Sequence, residues 1–129
     1  MITDVVSRTD CPDRPAAVWD ALLRAARFDP DTRTCRLEHA DLVVRSLSPG
    51  VGLRGSARWG DVTYRVTVYL VPHRSGTRLL VLATVDLRAT TARLGQRRSS
   101  RRLVGRDLRE WMQATRVESE GRADLGRTA

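Results

Sequence analysis

The chain has 129 residues, 41% hydrophobic and 29% charged, which fits one soluble globular domain and excludes a disordered segment. Its longest purely apolar run is Leu79 to Ala83, far short of the roughly 18 residues that cross a bilayer. The formal net charge is +8, but all 23 basic residues are arginine and aromatics are only 5%, so the charge reads as GC-rich coding and nucleic acid is not the expected partner.

Residues 2–9, with Val5 and Val6, read as a first strand. An acid at position 4 and the lack of an apolar h-region argue against a secretory signal. Cys11 and Cys35 lie in no CxxC, so two free thiols in a cytoplasmic protein are expected. CPDRP breaks the strand. Asp13 is placed as an N-cap and Pro15 in the first turn of the helix PAAVWDALLRAARF. Val18, Trp19, Leu22, Leu23 and Ala26 share one face of it, and Pro30 in FDPDT is expected to end it.

From Thr34 to Arg88 the period changes to two. Cys35, Leu37 and His39 alternate with polar neighbours, and Leu42 to Leu47 form a further short strand before the turn SPGVG. Leu53, Gly55, Ala57 and Trp59 share one parity; Val62, Tyr64, Val66, Val68 and Leu70 another; Leu79, Val81, Ala83, Val85 and Leu87 a third. The turns are Gly60-Asp61 and PHRSG. The pattern is an antiparallel meander with one apolar face and one Arg/Thr-rich face. That apolar face needs a cover, and the C-terminal segment supplies one: Leu94, Val104, Leu108, Trp111, Met112 and Thr115 form a helical stripe. The stretch from Arg93 to Arg109 holds seven arginines and one acid, Asp107, and reads as the other, solvated face. Residues 116–129 show no periodicity and are expected to be a flexible tail, leaving residues 1–115 as one domain.

Two stretches carry a resemblance. CPDRPAAVWDALL is similar to the strand, Pro-containing turn and Val-Trp helix start of the START/polyketide cyclase superfamily. SGTRLLVLATVDLR followed by SSRRLVGRDLREWM is similar to its last strand, which often begins Gly-Thr-Arg, and to its gripping helix. The LGQR step also resembles proteins related to a component of carbon monoxide dehydrogenase. The resemblance implies an α+β helix-grip fold, a curved antiparallel sheet of six or seven strands wrapped around a long C-terminal helix. The first strand and the meander together supply six. It implies a cavity between sheet and helix for a hydrophobic or aromatic small molecule. It also implies that the first strand and the strand at Thr34 run side by side, making Cys11 and Cys35 neighbours that stay reduced. The superfamily has no shared catalytic motif, so whether the chain is an enzyme stays open. If it is one, a cofactor-independent polyketide cyclase, aromatase or dehydratase fits.

The residues themselves offer limited chemistry. Tyr64 is the one polar side chain on its parity of the central strand. It is either a core tyrosine or a donor to a ligand carbonyl that becomes an enolate. His39 is either a strand-end surface residue or a general base. Trp59, Leu108 and Trp111 complete the expected ligand pocket, and Trp19 reads as packing. No HExxH, zinc spacing, P-loop or dinucleotide fingerprint occurs, so neither metal nor cofactor is expected. The alternative is a non-enzymatic carrier or assembly factor. It would dock through Arg97, Arg98, Arg101 and Arg102 on an acidic protein or an anionic membrane, with a homodimer left open. A filled core would count against both the enzyme and the carrier and leave a docking surface.

Overall fold

In the computed structural model the backbone is described for residues 5–88 and 94–128, and side chains for 5–88 and 99–121. Strand β1 (Val5–Cys11) ends at Pro12, which has no amide hydrogen for a ladder, and helix α1 (Pro15–Ala25) follows. The N-cap is Arg14 rather than Asp13: its extended backbone (φ −68°, ψ 154°) leads into Pro15, with no side-chain cap. Asp13 is used elsewhere. Its carboxylate accepts a hydrogen bond from Ser119 Oγ, and its carbonyl one from Thr77 Oγ1 at 2.7 Å. The helix also stops before Pro30 can act. Phe28 N donates to Leu23 O at 2.9 Å and Arg27 N to Arg24 O at 3.0 Å, a Schellman pair with Arg27 at φ 50°.

Five strands follow: β2 (Thr34–Arg36), β3 (Asp41–Ser48), β4 (Gly52–Trp59), β5 (Val62–His73) and β6 (Gly76–Val85). All pairings are antiparallel, in the order β1-β6-β5-β4-β3-β2. β1 and β2 are therefore opposite edges and do not pair. Cys11 lies across from Thr77 and Cys35 from Leu42, both buried and both free, so the expected pairing of their strands is wrong while the free thiols stand. β2 is also shorter than its alternation suggests. At Leu37 the amide bonds to Ala40 O, and the chain turns through His39 instead of continuing the strand.

The inward parities of β4, β5 and β6 are buried from Leu53 through Ala83. Val85 is half-buried and Leu87, beyond the end of β6, is 68% exposed, so the apolar face is shorter than its sequence pattern. Helix α2 (Leu94–Thr128) covers this face with Val104, Leu108, Trp111 and Met112, all in the same core as the strands. Burying each such side chain contributes about 1.5–3 kcal/mol, which holds α2 to the sheet. Leu94's side chain lies outside the described set. The helix does not stop at Thr115: Thr115 and Ser119 are both buried, the latter on Asp13, so a tail beginning at 116 is corrected as far as Gly121. The result is an α+β helix-grip fold with six strands among the described residues. No helix among those residues is long and apolar enough to cross a membrane.

Candidate functional site

The α2 stripe places a charge where a hydrophobe would be expected. Asp107 sits one turn beyond Val104 and directly before Leu108, and is 2% exposed. A carboxylate taken out of water needs donors, and three converge on it. His39 N donates to Oδ2 at 3.0 Å, Trp59 Nε1 to the same oxygen at 2.8 Å, and His39 Nδ1 lies 2.6 Å from Oδ1. The turn after β2 and the end of β4 are thereby tied to the middle of α2. The hydrogen bond to Asp107, together with its charge, raises the His39 pKa above the ordinary 6.5, against the opposing effect of burial. The imidazole is 34% exposed, so it meets solvent while its orientation is fixed from inside. This is the arrangement in which a carboxylate selects the tautomer of an imidazole and leaves Nε2 for acid–base work.

Charged neighbours surround the pair. Glu110 is held below its ordinary pKa by a hydrogen bond with Glu38 and by Arg106, whose Nε lies 3.1 Å from Glu110 Oε1. Glu38, His39 and Asp107 bring potential ligand atoms within 4.8 Å of one another. Both oxygens of Asp107 are already engaged by nitrogen donors, so the cluster is organised as a hydrogen-bond network rather than as a metal cradle.

The other expected site residues are brought together here, but closed. Trp59 and Tyr64 meet edge to face, with centroids 5.6 Å apart and planes at 88°. Tyr64 Oη lies 3.2 Å from the buried Ser100 Oγ. Trp111 Nε1 donates to Leu22 O at 3.0 Å, spanning from α2 to α1. Trp59, Tyr64, Leu108 and Trp111 are 1%, 1%, 0% and 3% exposed, so none of them borders a space that water could enter. Trp19 is buried in the same core. His73 is on the surface against Ser75, Asp61 pairs with Arg58, and Asp86 lies 3.6 Å from Arg65. On α2, Arg101, Arg102, Arg106 and Arg109 are exposed around a shallow depression of about 760 Å³ beside Gly105. The side chains of Arg97 and Arg98 lie outside the described residues.

Asp107 is the site residue that the Arg-rich run concealed. Its signal was its phase: it is three residues after Val104, four before Trp111, and shares their face.

No protein-family model and no curated protein matches the chain. Solved structures do. Protein MLL2253 from Mesorhizobium loti is similar at 19% identity with a TM-score of 0.67, over 97% of this chain and 98% of that one. The di-domain ARO/CYC StfQ from the steffimycin biosynthetic pathway is similar at 15% identity and a TM-score of 0.65, over 93% of this chain and 51% of that one. Ara h 8.0201 is similar at 10% identity and a TM-score of 0.66, over 91% and 97%. At such identities the likeness is one of fold, and it is the helix-grip fold.

Proposed function

We propose that the chain binds a hydrophobic or aromatic small molecule between sheet and α2, with His39, steered by Asp107, as its acid–base group. The observation that carries this reading is the buried Asp107 carboxylate. A residue needed only to pack α2 would be apolar. This one instead holds an imidazole in a fixed orientation at the edge of the sheet–helix contact. An imidazole placed in this way can take a proton next to a ligand carbonyl and return it to a leaving hydroxyl. That is the chemistry of cyclisation with dehydration in polyketide-like substrates. The shared fold with an aromatase/cyclase supports the same class of ligand. Trp59, Tyr64, Leu108 and Trp111 would line the ligand only after α2 has moved outward from the sheet, because they touch no free space as they stand.

The test is native mass spectrometry of protein purified from its own host, joined to a titration with a neutral naphthylamine dye. A retained small molecule, or saturable dye binding that changes tryptophan emission, is the expected result. Absence of both overturns the reading.

The closed core favours a second reading, a non-enzymatic assembly factor docking through Arg101, Arg102, Arg106 and Arg109. It would show salt-sensitive binding to vesicles of anionic lipid or to polyglutamate, lost when Arg101 and Arg102 become glutamine.

A further inference from the structure

The face of the sheet turned away from α2 carries a separate constellation. Ser46, Arg54 and Thr67 stand opposite one another on β3, β4 and β5, and Ser56, Arg65 and Thr84 form the adjoining row on β4, β5 and β6. Arg54 and Arg65 are thus diagonal neighbours, a separation of about 7–8 Å from which two long side chains reach one ligand. The β3–β4 ladder shifts register between Val44 and Ser46, and this bulge leaves Arg45 and Ser46 both exposed. The three arginines line one groove of about 500 Å³, with Ser46, Ser56 and Thr67 between them, Tyr69 at its margin and the Asp86 carboxylate on its wall beside Arg65. Tyr69 is 38% exposed.

The electrostatics of the groove are incomplete. Arg65 has Asp86 at 3.6 Å, but among the described residues neither Arg45 nor Arg54 has an ion-pair partner. Like charges held on one sheet face repel, and the repulsion is relieved by a shared anion. Guanidinium forks with hydroxyl donors between them suit a tetrahedral dianion better than a single carboxylate, since each fork pairs with two oxygens. The small residues beneath leave room for the anion, and the Tyr69 ring offers a surface for an apolar or aromatic body attached to it.

We infer that this outer groove is a binding site for a small phosphate ester, its phosphate held by Arg45, Arg54 and Arg65 and its organic part lying along Tyr69. The site is independent of the sheet–helix contact and of the acid–base pair.

Calorimetric titration of the full chain with phenyl phosphate tests it, with inorganic phosphate and phenol as partial ligands. One saturable site per chain is expected, tighter for phenyl phosphate than for either part. Arg54→Gln and Arg65→Gln, each checked for retained fold by circular dichroism, should each weaken it by about tenfold or more, the loss of one charge-assisted contact. The double variant Arg101→Gln/Arg102→Gln on α2 should leave it unchanged. No saturable binding, or an equal loss from the α2 double variant, overturns the proposal as mere net charge. Tight binding of a single-stranded oligonucleotide that phenyl phosphate cannot displace overturns it in favour of a polymer backbone.

Discussion

Asp107 accepts three hydrogen bonds with two oxygens, and replacing it by asparagine and by alanine should separate what its charge does from what its shape does. In Asp107→Asn the amide oxygen can take the Oδ2 position and still accept from His39 N and Trp59 Nε1. The amide nitrogen then faces His39 Nδ1 and donates to it, which forces the imidazole into the Nε2–H form. Every buried group keeps a partner, and the loss is the charge-assisted part of the bonds, about 1–2 kcal/mol. In Asp107→Ala the indole N–H of Trp59, in a side chain only 1% exposed, loses its acceptor. Adding the orphaned His39 amide and the space left by the carboxyl group, the cost should reach about 3–5 kcal/mol. Urea unfolding followed by tryptophan emission near neutral pH measures both values, and nitrogen chemical shifts of the His39 ring report the tautomer. If alanine costs no more than asparagine, or the His39 tautomer is the same in both variants and the parent, the carboxylate is not the acceptor that organises this site.

Stability should carry the signature of His39. Its folded pKa is raised, so its contribution is complete below the ordinary 6.5 and fades as the pH climbs through the raised value; stability that is flat or rising from 6.5 upward would contradict the His39–Asp107 bond. Leu108→Asp places a second carboxylate beside Asp107 at a fully buried position and should cost several kcal/mol, or leave no folded protein; a variant that melts like the parent would mean that α2 does not grip the sheet. Tyr64→Phe removes the contact with Ser100 from the core and should lower stability by about 0.5–1.5 kcal/mol in the same urea titration, with no loss meaning that the hydroxyl is not committed to Ser100. Burial pushes the Cys11 thiol up to about 11 and Cys35 to about 12, so iodoacetamide near neutral pH should modify neither in folded protein and both in urea; rapid labelling of either native thiol would place it at the surface.

The meander was legible because its signal is local and repeated. Within each of the stretches Leu53 to Trp59, Val62 to Leu70 and Leu79 to Ala83 every second residue is apolar or glycine, a one-residue slip would turn that set to water, and the structure keeps that register. Where the signal was short it misled. Cys35, Leu37 and His39 alternate for only three positions, too few to outweigh the Leu37–Ala40 turn and the hold of Asp107 on His39. Leu87 continues the parity of β6 by composition, yet the ladder ends at Val85 and leaves it exposed. Edge pairing was invisible altogether. That β1 joins β6 is a contact between the two ends of the sheet-forming chain, and no spacing within either strand encodes it.

The site was half legible for a related reason. His39, Trp59 and Tyr64 stand out on their strand parities, Leu108 and Trp111 lie on the covering helical stripe, and the fold does gather them. What a face pattern cannot say is whether gathered side chains surround a space or fill it. That depends on the distance between α2 and the sheet, which is set by the sum of all the side chains between them. Here the bulk of two tryptophans and a tyrosine closes the gap, and the hydrogen bonds of Trp59 and Trp111 lock the rings from both sides. The polar anchor of that closure is Asp107. In a run of arginines an acid reads as a surface counter-charge, because composition averages over all faces of a helix. Phase does not average: an acid three residues after one core position and four before another can only point inward, and a carboxylate pointing inward must be met by donors. The donors it meets are the histidine and the tryptophan that the strands deliver, so the same charge that fastens α2 to the sheet also gives the imidazole its orientation and its raised affinity for a proton.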